Sequence, residues 1–163
     1  MYRLNLVLVL AALLCACGFH LRGHEKATSS TASSIYLQSS SAPSVAAEVA
    51  SILKIGGAAM AASPAEADYI LTISNESFNR EVLSVSAETG KVREYQLTLI
   101  ASLSVSRGPE DALVNNEPVT YTRDYTFDDT SILGKSNEEL VLREDLVRQV
   151  SMQIVRRFNA VAK

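Results

Sequence analysis

The sequence predicts a two-layer α+β domain in which two helices pack on one face of a four-stranded sheet, in the order β-α-β-β-β-α. Residues 94–105 alternate between apolar and polar side chains, which is the period of a strand in a sheet with one apolar face. Two other stretches repeat apolar residues at helical spacing. Because one apolar sheet face can take both amphipathic helices, we predict a single domain over residues 35–163.

The predicted domain begins with a short strand, residues 35–37, followed by a helix. Ser41 and Pro43 predict the helix start, with the serine as N-cap and the proline in the first turn. The two glycines at 56 and 57 end it. The predicted buried stripe of this helix consists of Val45, Val49, Ile52 and Leu53.

Three long strands are predicted next. The first begins at Tyr69 and continues, with a break, to Val85, and a turn at residues 88–91 leads into the second. The third is predicted at residues 119–127, after a loop bounded by Gly-Pro at 108 and 109 and Asn-Asn at 115 and 116. The apolar face of the second strand carries Tyr95, Leu97, Leu99, Ala101, Leu103 and Val105. The face of the sheet opposite to these residues is rich in serine and threonine, and no predicted helix covers it.

The last predicted element is a helix. Ser136 and Glu139 match the capping box Ser-x-x-Glu, which predicts the helix start at Ser136. Acidic residues in its early turns and basic residues near its end suit the helix dipole. Its apolar stripe is predicted to be Val147, Val150, Ile154, Phe158 and Val161.

The N-terminus predicts export. A short basic start, an apolar run over residues 4–14 and small residues after it describe a secretory signal peptide, residues 1–16. The apolar run is shorter than the roughly 20 residues that span a bilayer. Leu14-Cys15-Ala16-Cys17 resembles the bacterial lipobox, which implies that Cys17 becomes the acylated first residue of the mature chain.

Two other interpretations of this site were weighed. An ordinary secretory peptide cut near Ala16 would leave Cys17 as a free thiol. Acylation of Cys15 would place Leu14 just before the cut, where a small side chain is needed, so that register is rejected. Gly18 stands where an aspartate would resemble the inner-membrane retention signal of enterobacteria, which favours the periplasmic side of the outer membrane.

Composition limits the remaining possibilities. Residues 25–34 are rich in Ser, Thr and Ala without periodicity, so residues 17–34 are predicted to be a flexible tether that carries the lipid anchor. The net charge of −3 does not suggest a nucleic-acid partner. After cleavage Cys17 is the only cysteine, so no disulfide is expected.

Signals for enzymatic chemistry are weak. The two histidines, His20 and His24, lie in the tether, and a metal site there would need further ligands. No phosphate-binding glycine loop, Gly-x-Ser-x-Gly elbow or HExxH is present. Asp128 and Asp129 could form a paired-carboxylate site, but solvated acids in a turn are the simpler interpretation. We therefore predict no enzymatic activity and no cofactor.

Three basic residues are better candidates for a functional site. Lys91 and Arg93 lie at the turn between two predicted strands, and Lys135 precedes the last helix. Alternate connections of an antiparallel meander emerge at the same end, so the three cations are expected there together and would suit a phosphate-bearing partner. The simpler alternative is solubilising cations paired with Glu88 and Glu94.

One further arginine, Arg123, interrupts the apolar side of its predicted strand. It is expected to be either a buried, paired arginine or a contact to a partner. Pairing with Asp124 is disfavoured because neighbours on a strand face opposite ways.

Several short motifs together resemble the LptE family of lipopolysaccharide-assembly lipoproteins. Residues 17–22 read Cys-Gly-Phe-His-Leu-Arg, an anchor sequence typical of that family, and Gly90 leads into Glu-Tyr-Gln-Leu at 94–97. The pair Arg123 and Tyr125, then Lys135, an acid-rich helix start and a helix ending in Arg-Arg follow in order. The resemblance covers nearly the whole mature chain, and the order of the motifs carries it.

The resemblance implies a non-enzymatic role. LptE proteins sit as a plug inside the outer-membrane barrel LptD, help to assemble it, and serve lipopolysaccharide delivery to the cell surface. The family is thought to contact lipopolysaccharide through basic loop residues, and Lys135 matches one of them. The other family position falls at Glu88, with Lys91 and Arg93 nearby as substitutes.

The leading hypothesis is therefore a lipid-anchored plug and assembly subunit of the LptD barrel, with lipopolysaccharide contacted by Lys91, Arg93 and Lys135. A Ser/Thr-rich sheet face would suit the polar lumen of a porin-like barrel. The first alternative is a freestanding periplasmic lipoprotein that binds a small anion or a glycan in a closed pocket. The second is a hydrolase that uses Asp128 or Asp129.

Overall fold

The computed structural model describes residues 34–108, 110–126 and 132–162, and for the last segment the side chains from residue 138 onward. The predicted element order β-α-β-β-β-α is confirmed. The elements are β1 (Ile35–Ser40), α1 (Pro43–Ile55), a 3₁₀ turn (Pro64–Glu66), β2 (Tyr69–Val85), β3 (Val92–Arg107), β4 (Asp111–Thr126) and α2 (Ile132–Val161).

The four strands form one mixed sheet in the order β1-β2-β3-β4. β1 runs parallel to β2, with α1 in the crossover, and β2, β3 and β4 form an antiparallel meander. At one end of the sheet β2 turns into β3 and β4 finishes, with Thr126 opposite Glu94. We call this the hairpin end.

A single apolar core lies between one sheet face and both helices, as predicted. Phe158 is completely buried, and its ring meets that of Tyr69 edge-on, with centroids 5.8 Å apart at 89°. Where the two helices meet, Ser151 is also completely buried, and its hydroxyl donates to the Val45 carbonyl at 3.3 Å. The alternating residues of β3 that the sequence placed inward and the structure buries are Leu97, Leu99, Ala101, Leu103 and Val105.

The break predicted in β2 is a β-bulge between Ser74 and Ser77, where Asn75 has a left-handed backbone with φ +55°. The predicted start of the last strand at residue 119 is wrong, because β4 begins at Asp111. The Asn-Asn pair that suggested a loop lies inside β4. A second bulge accommodates it: Asn116 has φ +48°, and its N–H donates to the Ser104 hydroxyl at 2.9 Å.

Both predicted helix starts need correction. Ser41 is not the N-cap of α1; Ala42 holds that position and makes no side-chain capping bond. Instead, the Glu76 carboxylate, placed by the β2 bulge, accepts from the N–H groups of Ser44 at 3.0 Å and Val45 at 3.1 Å. The predicted start of α2 at residue 136 is also wrong, since the helix begins four residues earlier, at Ile132.

We expect Glu76→Ala to lower the free energy of unfolding by about 1 kcal/mol, the usual cost of losing a helix cap. The change leaves two N–H groups of the first turn of α1 without their acceptor. Urea unfolding of the full chain would measure it. Ser41→Ala is the control and should cost less, because within the described part of the chain its hydroxyl bonds only to the Ser40 carbonyl and the Asn75 N–H. A larger loss for Ser41→Ala would contradict the capping role of Glu76.

Among the described residues, neither helix combines the length and apolar character needed to cross a bilayer.

Candidate functional site at the hairpin end

The connection between β2 and β3 is a tight turn held by its own backbone. The N–H of Ser86 donates to the Lys91 carbonyl at 2.7 Å, and the N–H of Gly90 donates to the Ser86 carbonyl at 2.8 Å. Gly90 has φ +67°, a left-handed conformation that glycine adopts without strain. The turn places two exposed basic residues, Lys91 and Arg93, on either side of the first residue of β3.

The third predicted cation, Lys135, lies on the first turns of α2. Its backbone is described and its side chain lies outside the described residues. β4 ends at Thr126, opposite Glu94 near the start of β3, and α2 begins six residues later. The convergence of the three cations at the hairpin end stays a prediction.

On the helix side of the hairpin end, two tyrosines stack. The rings of Tyr95 and Tyr125 lie 5.6 Å apart at 24°, and the guanidinium of Arg80 sits 4.9 Å above the ring of Tyr95. Burial raises the pKa of Tyr125, and the nearby Glu139 carboxylate raises it further, while Arg80 opposes the shift. The phenol of Tyr125 is thus held in its neutral form beside a charged cluster.

The cluster consists of Arg80, Glu139 and Arg143. Arg80 Nη1 lies 3.1 Å from Glu139 Oε2, and Arg143 Nη2 lies 3.1 Å from Glu139 Oε1, so one carboxylate bridges two guanidiniums. The charge of Glu139 is the main cause that raises the pKa of Arg80. Both arginine side chains are half exposed, and such ion pairs contribute only about 0–1 kcal/mol to stability. The sequence predicts a capping role for Glu139, whereas in the structure its carboxylate bridges the two arginines.

Arg123, which interrupts the apolar face of β4, pairs with Asp145 on α2. Its Nε and Nη2 donate to Asp145 Oδ2 at 3.2 and 3.0 Å. The Arg123 side chain is 49% exposed, so the expectation that it is paired is confirmed and the expectation that it is buried is wrong. The expectation that Arg123 avoids Asp124 is confirmed, because Asp124 faces the other way and accepts from Gln96 at 3.0 Å.

The sheet face opposite the helices is polar. Across its strands Thr98 and Thr122 share a hydrogen bond of 3.2 Å, and Asn75 Nδ2 donates to the Ser102 hydroxyl at 3.3 Å. Both helices pack on the other face, against the core. We call this Ser/Thr-rich surface the polar sheet face.

A groove of about 540 Å³ runs between the two helices and is open to solvent. It adjoins the charged cluster, because Arg143 belongs to both. Its lining combines small, apolar and charged side chains: Ser44, Ala47, Glu48, Leu140, Arg143, Glu144, Val147 and Arg148.

Several predicted site residues lie outside the described residues: Cys17, His20, His24, Asp128 and Asp129. Within the described part of the chain, no group of three or more His, Cys, Asp or Glu side chains is arranged to hold a metal ion.

Solved structures of small bacterial lipoproteins share this fold. Rare lipoprotein B from Shewanella oneidensis is 24% identical with a TM-score of 0.67, over 78% of this chain and 94% of that one. An uncharacterized lipoprotein B from Nitrosomonas europaea is 23% identical with a TM-score of 0.73, over 88% and 91%. A minor lipoprotein from Acinetobacter baumannii is 18% identical with a TM-score of 0.62, over 78% and 90%. At these identities the likeness shows the fold alone.

The family follows from the sequence itself. The model of the LptE family, described as lipopolysaccharide-assembly, matches residues 32–158. The chain therefore belongs to the LptE family of lipopolysaccharide-assembly lipoproteins, and the resemblance drawn from its motifs is confirmed. Membership places it among lipoproteins of the bacterial envelope. No curated protein matches the sequence.

Proposed function

We propose that this protein is an outer-membrane lipoprotein that plugs and helps to assemble the LptD β-barrel, and so serves the delivery of lipopolysaccharide to the cell surface. The family match over residues 32–158 carries the proposal. The protein acts by occupying space and by offering binding groups, without enzymatic chemistry or a cofactor.

The polar sheet face supports the plug role. The lumen of a porin-like barrel is polar, so a domain that enters it needs a surface able to exchange hydrogen bonds with water or with lumen side chains. Hydroxyl and amide groups on β3 and β4 provide such a surface, including the Thr98–Thr122 and Gln96–Asp124 pairs. The apolar core lies on the opposite side of the sheet and stays covered by α1 and α2.

The N-terminus indicates where in the cell the protein is located. Acylation of Cys17 in the lipobox would anchor the chain on the periplasmic side of the outer membrane, behind a tether of residues 17–34. The folded domain then stays beside the barrel that it has to enter. Lys91, Arg93 and Lys135 at the hairpin end provide cations for the phosphate groups of lipopolysaccharide.

Co-purification tests the barrel partnership. The full chain, tagged at its C-terminus and extracted from outer membranes in mild detergent, is expected to bring down a large β-barrel protein in a stable complex. Recovery of the tagged protein as a monomer without a barrel would refute the plug role. A small anion or glycan bound to that monomer would support the freestanding alternative.

Charge reversal tests the lipopolysaccharide contact. We expect the triple change Lys91→Glu, Arg93→Glu and Lys135→Glu to weaken lipopolysaccharide binding by at least about tenfold, because three attractive charges become repulsive. Binding would be measured with purified full chain at low salt, where screening is weakest. The control reverses the same charge at exposed positions elsewhere: Lys54→Glu, Arg148→Glu and Arg156→Glu. Equal affinities of the two triple variants would remove the hairpin-end cations from the binding site.

A further inference from the structure

Two arginines from different elements converge on one carboxylate at the hairpin end. Arg80 comes from β2, whereas Arg143 and Glu139 lie one turn apart on α2. Each guanidinium takes one oxygen of the Glu139 carboxylate, both at 3.1 Å. The cluster holds two positive charges against one negative charge.

Aromatic rings fix both guanidiniums. Arg143 lies 4.0 Å above the centroid of Phe78, and Arg80 lies 4.9 Å above that of Tyr95. Stacking on a ring sets the plane of a guanidinium and leaves the N–H groups at its edge available. Each guanidinium has five N–H donors; Glu139 accepts one from each, and the Tyr125 phenol accepts a further one from Arg80. Donors held in a fixed plane lose little freedom when they bind an anion.

An anion from solution can replace the Glu139 carboxylate that bridges the two arginines. The Glu139 side chain is 23% exposed and both arginine side chains are 50% exposed, so water reaches the cluster and the ion pairs are weak. A phosphate monoester offers three acceptor oxygens and between one and two negative charges near pH 7, more than a carboxylate. Two guanidiniums can bind such a group through paired N–H···O bonds.

We propose that Arg80 and Arg143 form a clamp for a phosphate monoester, and that Glu139 occupies the clamp as an internal competitor until the phosphate displaces it. When the phosphate enters, the Glu139 side chain turns to solvent and the two stacked guanidiniums keep their positions on Phe78 and Tyr95. The clamp uses none of the predicted cations at 91, 93 and 135.

The surroundings favour a phosphorylated lipid as the source of the phosphate. Leu140 lines the groove together with Arg143 and is 57% exposed, and Val82 is 53% exposed. Val82 and Arg80 face the same side of the sheet, two residues apart on β2. Exposed apolar side chains beside a cation pair suit the acyl part of an amphiphile. This choice of source rests on the proposed function, whereas the clamp itself rests on its geometry.

The chain contains its own matched control. Arg123 on β4 and Asp145 on α2 form a similar strand-to-helix ion pair, with side chains 49% and 29% exposed. Only one arginine binds that carboxylate among the described residues, so the pair is neutral and offers no excess charge to an anion.

Calorimetric titration of the full chain in a nonionic detergent tests the clamp, with dihexanoyl phosphatidic acid and inorganic phosphate as separate probes. Arg80→Gln and Arg143→Gln should each weaken binding by about tenfold, the scale of a lost charge-assisted hydrogen bond, and Arg123→Gln should leave it unchanged. Arg80→Lys keeps the charge but loses the planar fork, and should also weaken binding. Arg80→Lys provides the test of the clamp if Arg80→Gln fails to fold.

Glu139→Gln gives the sharpest result. Removing the competitor's charge should strengthen binding of the phosphate probe by about threefold or more, while the loss of two ion pairs lowers the melting temperature. A purely structural role for Glu139 predicts that both quantities fall. An unchanged or weaker affinity for Glu139→Gln, a loss of affinity in Arg123→Gln equal to that in Arg80→Gln, or no binding of either probe would overturn the proposal.

The two probes identify the source of the phosphate. Tighter binding of dihexanoyl phosphatidic acid assigns the clamp to a lipid headgroup, and equal binding assigns it to free phosphate. Both support the clamp. Failure of the clamp leaves co-purification with a barrel unaffected, so the two proposals can fail separately.

Discussion

Replacing Phe158 by alanine is expected to lower the free energy of unfolding by about 3–5 kcal/mol, the range for truncating a buried aromatic ring. The ring is completely buried between α2 and the sheet. Its edge-on contact with Tyr69 is lost together with the apolar area. Single domains are stable by only about 5–15 kcal/mol, so this one change removes a large share of the total.

Urea unfolding of the full chain, followed by circular dichroism, measures the effect. Phe78→Ala is the matched control, because that phenylalanine is only partly buried and packs at the margin of the core. Its truncation should cost clearly less. Equal losses for the two variants would show that the centre of the core has been misplaced.

Replacing Cys17 by serine is expected to abolish acylation and to release the protein from the outer-membrane fraction. The thiolate sulfur is the acylated atom, and serine offers no sulfur to the transfer reaction. Two or more acyl chains anchor stably because each buried methylene contributes about 0.8 kcal/mol, so their loss removes the anchor entirely. Incorporation of labelled palmitate and density-gradient fractionation measure both effects.

The neighbouring cysteine provides the control. Cys15→Ser keeps a small residue within the lipobox, so labelling and membrane association should persist. If palmitate were retained in Cys17→Ser and lost in Cys15→Ser, the cleavage register would be shifted by two residues and the predicted signal peptide 1–16 would be wrong.

The buried faces of β3 and α2 could be predicted from the sequence because their apolar residues repeat with one period over many residues. The alternation along β3 predicted its buried face, because a strand in a two-layer sheet must turn every second side chain to the core. The stripe of α2 was predicted equally well at Val150, Ile154 and Phe158, all completely buried. A repeat of apolar positions predicts which face of a whole helix or strand is buried, even where single positions depart from the pattern.

Sequence reasoning failed where a distant residue decides a local feature. The first turn of α1 is capped by Glu76, more than 30 residues away in the chain, so the local Ser-x-Pro signal pointed to the wrong acceptor. The Asn-Asn pair within β4 indicated a loop because asparagine adopts left-handed backbone easily, and the bulge uses that property inside a strand.

The candidate site was predictable only in part. Chain order in a meander predicts that the cations at 91, 93 and 135 share one end of the domain. The cluster of Arg80, Glu139 and Arg143 was missed because Arg80 is 59 residues from Glu139. One signal was present, since Glu139 and Arg143 have the spacing of a helical ion pair, but nothing local identifies the second arginine.

The bulge at Asn75 divides β2 into two parts that differ in burial. β1 pairs with β2 only as far as Ser74, and on β2 no residue beyond Ser74 is buried. Substitutions on β2 beyond the bulge therefore leave the centre of the core untouched, whereas those on β2 before the bulge disturb it. The outer part of β2 can accept changes that the opposite strand cannot, because Leu97 and Leu99 on β3 remain buried in the core.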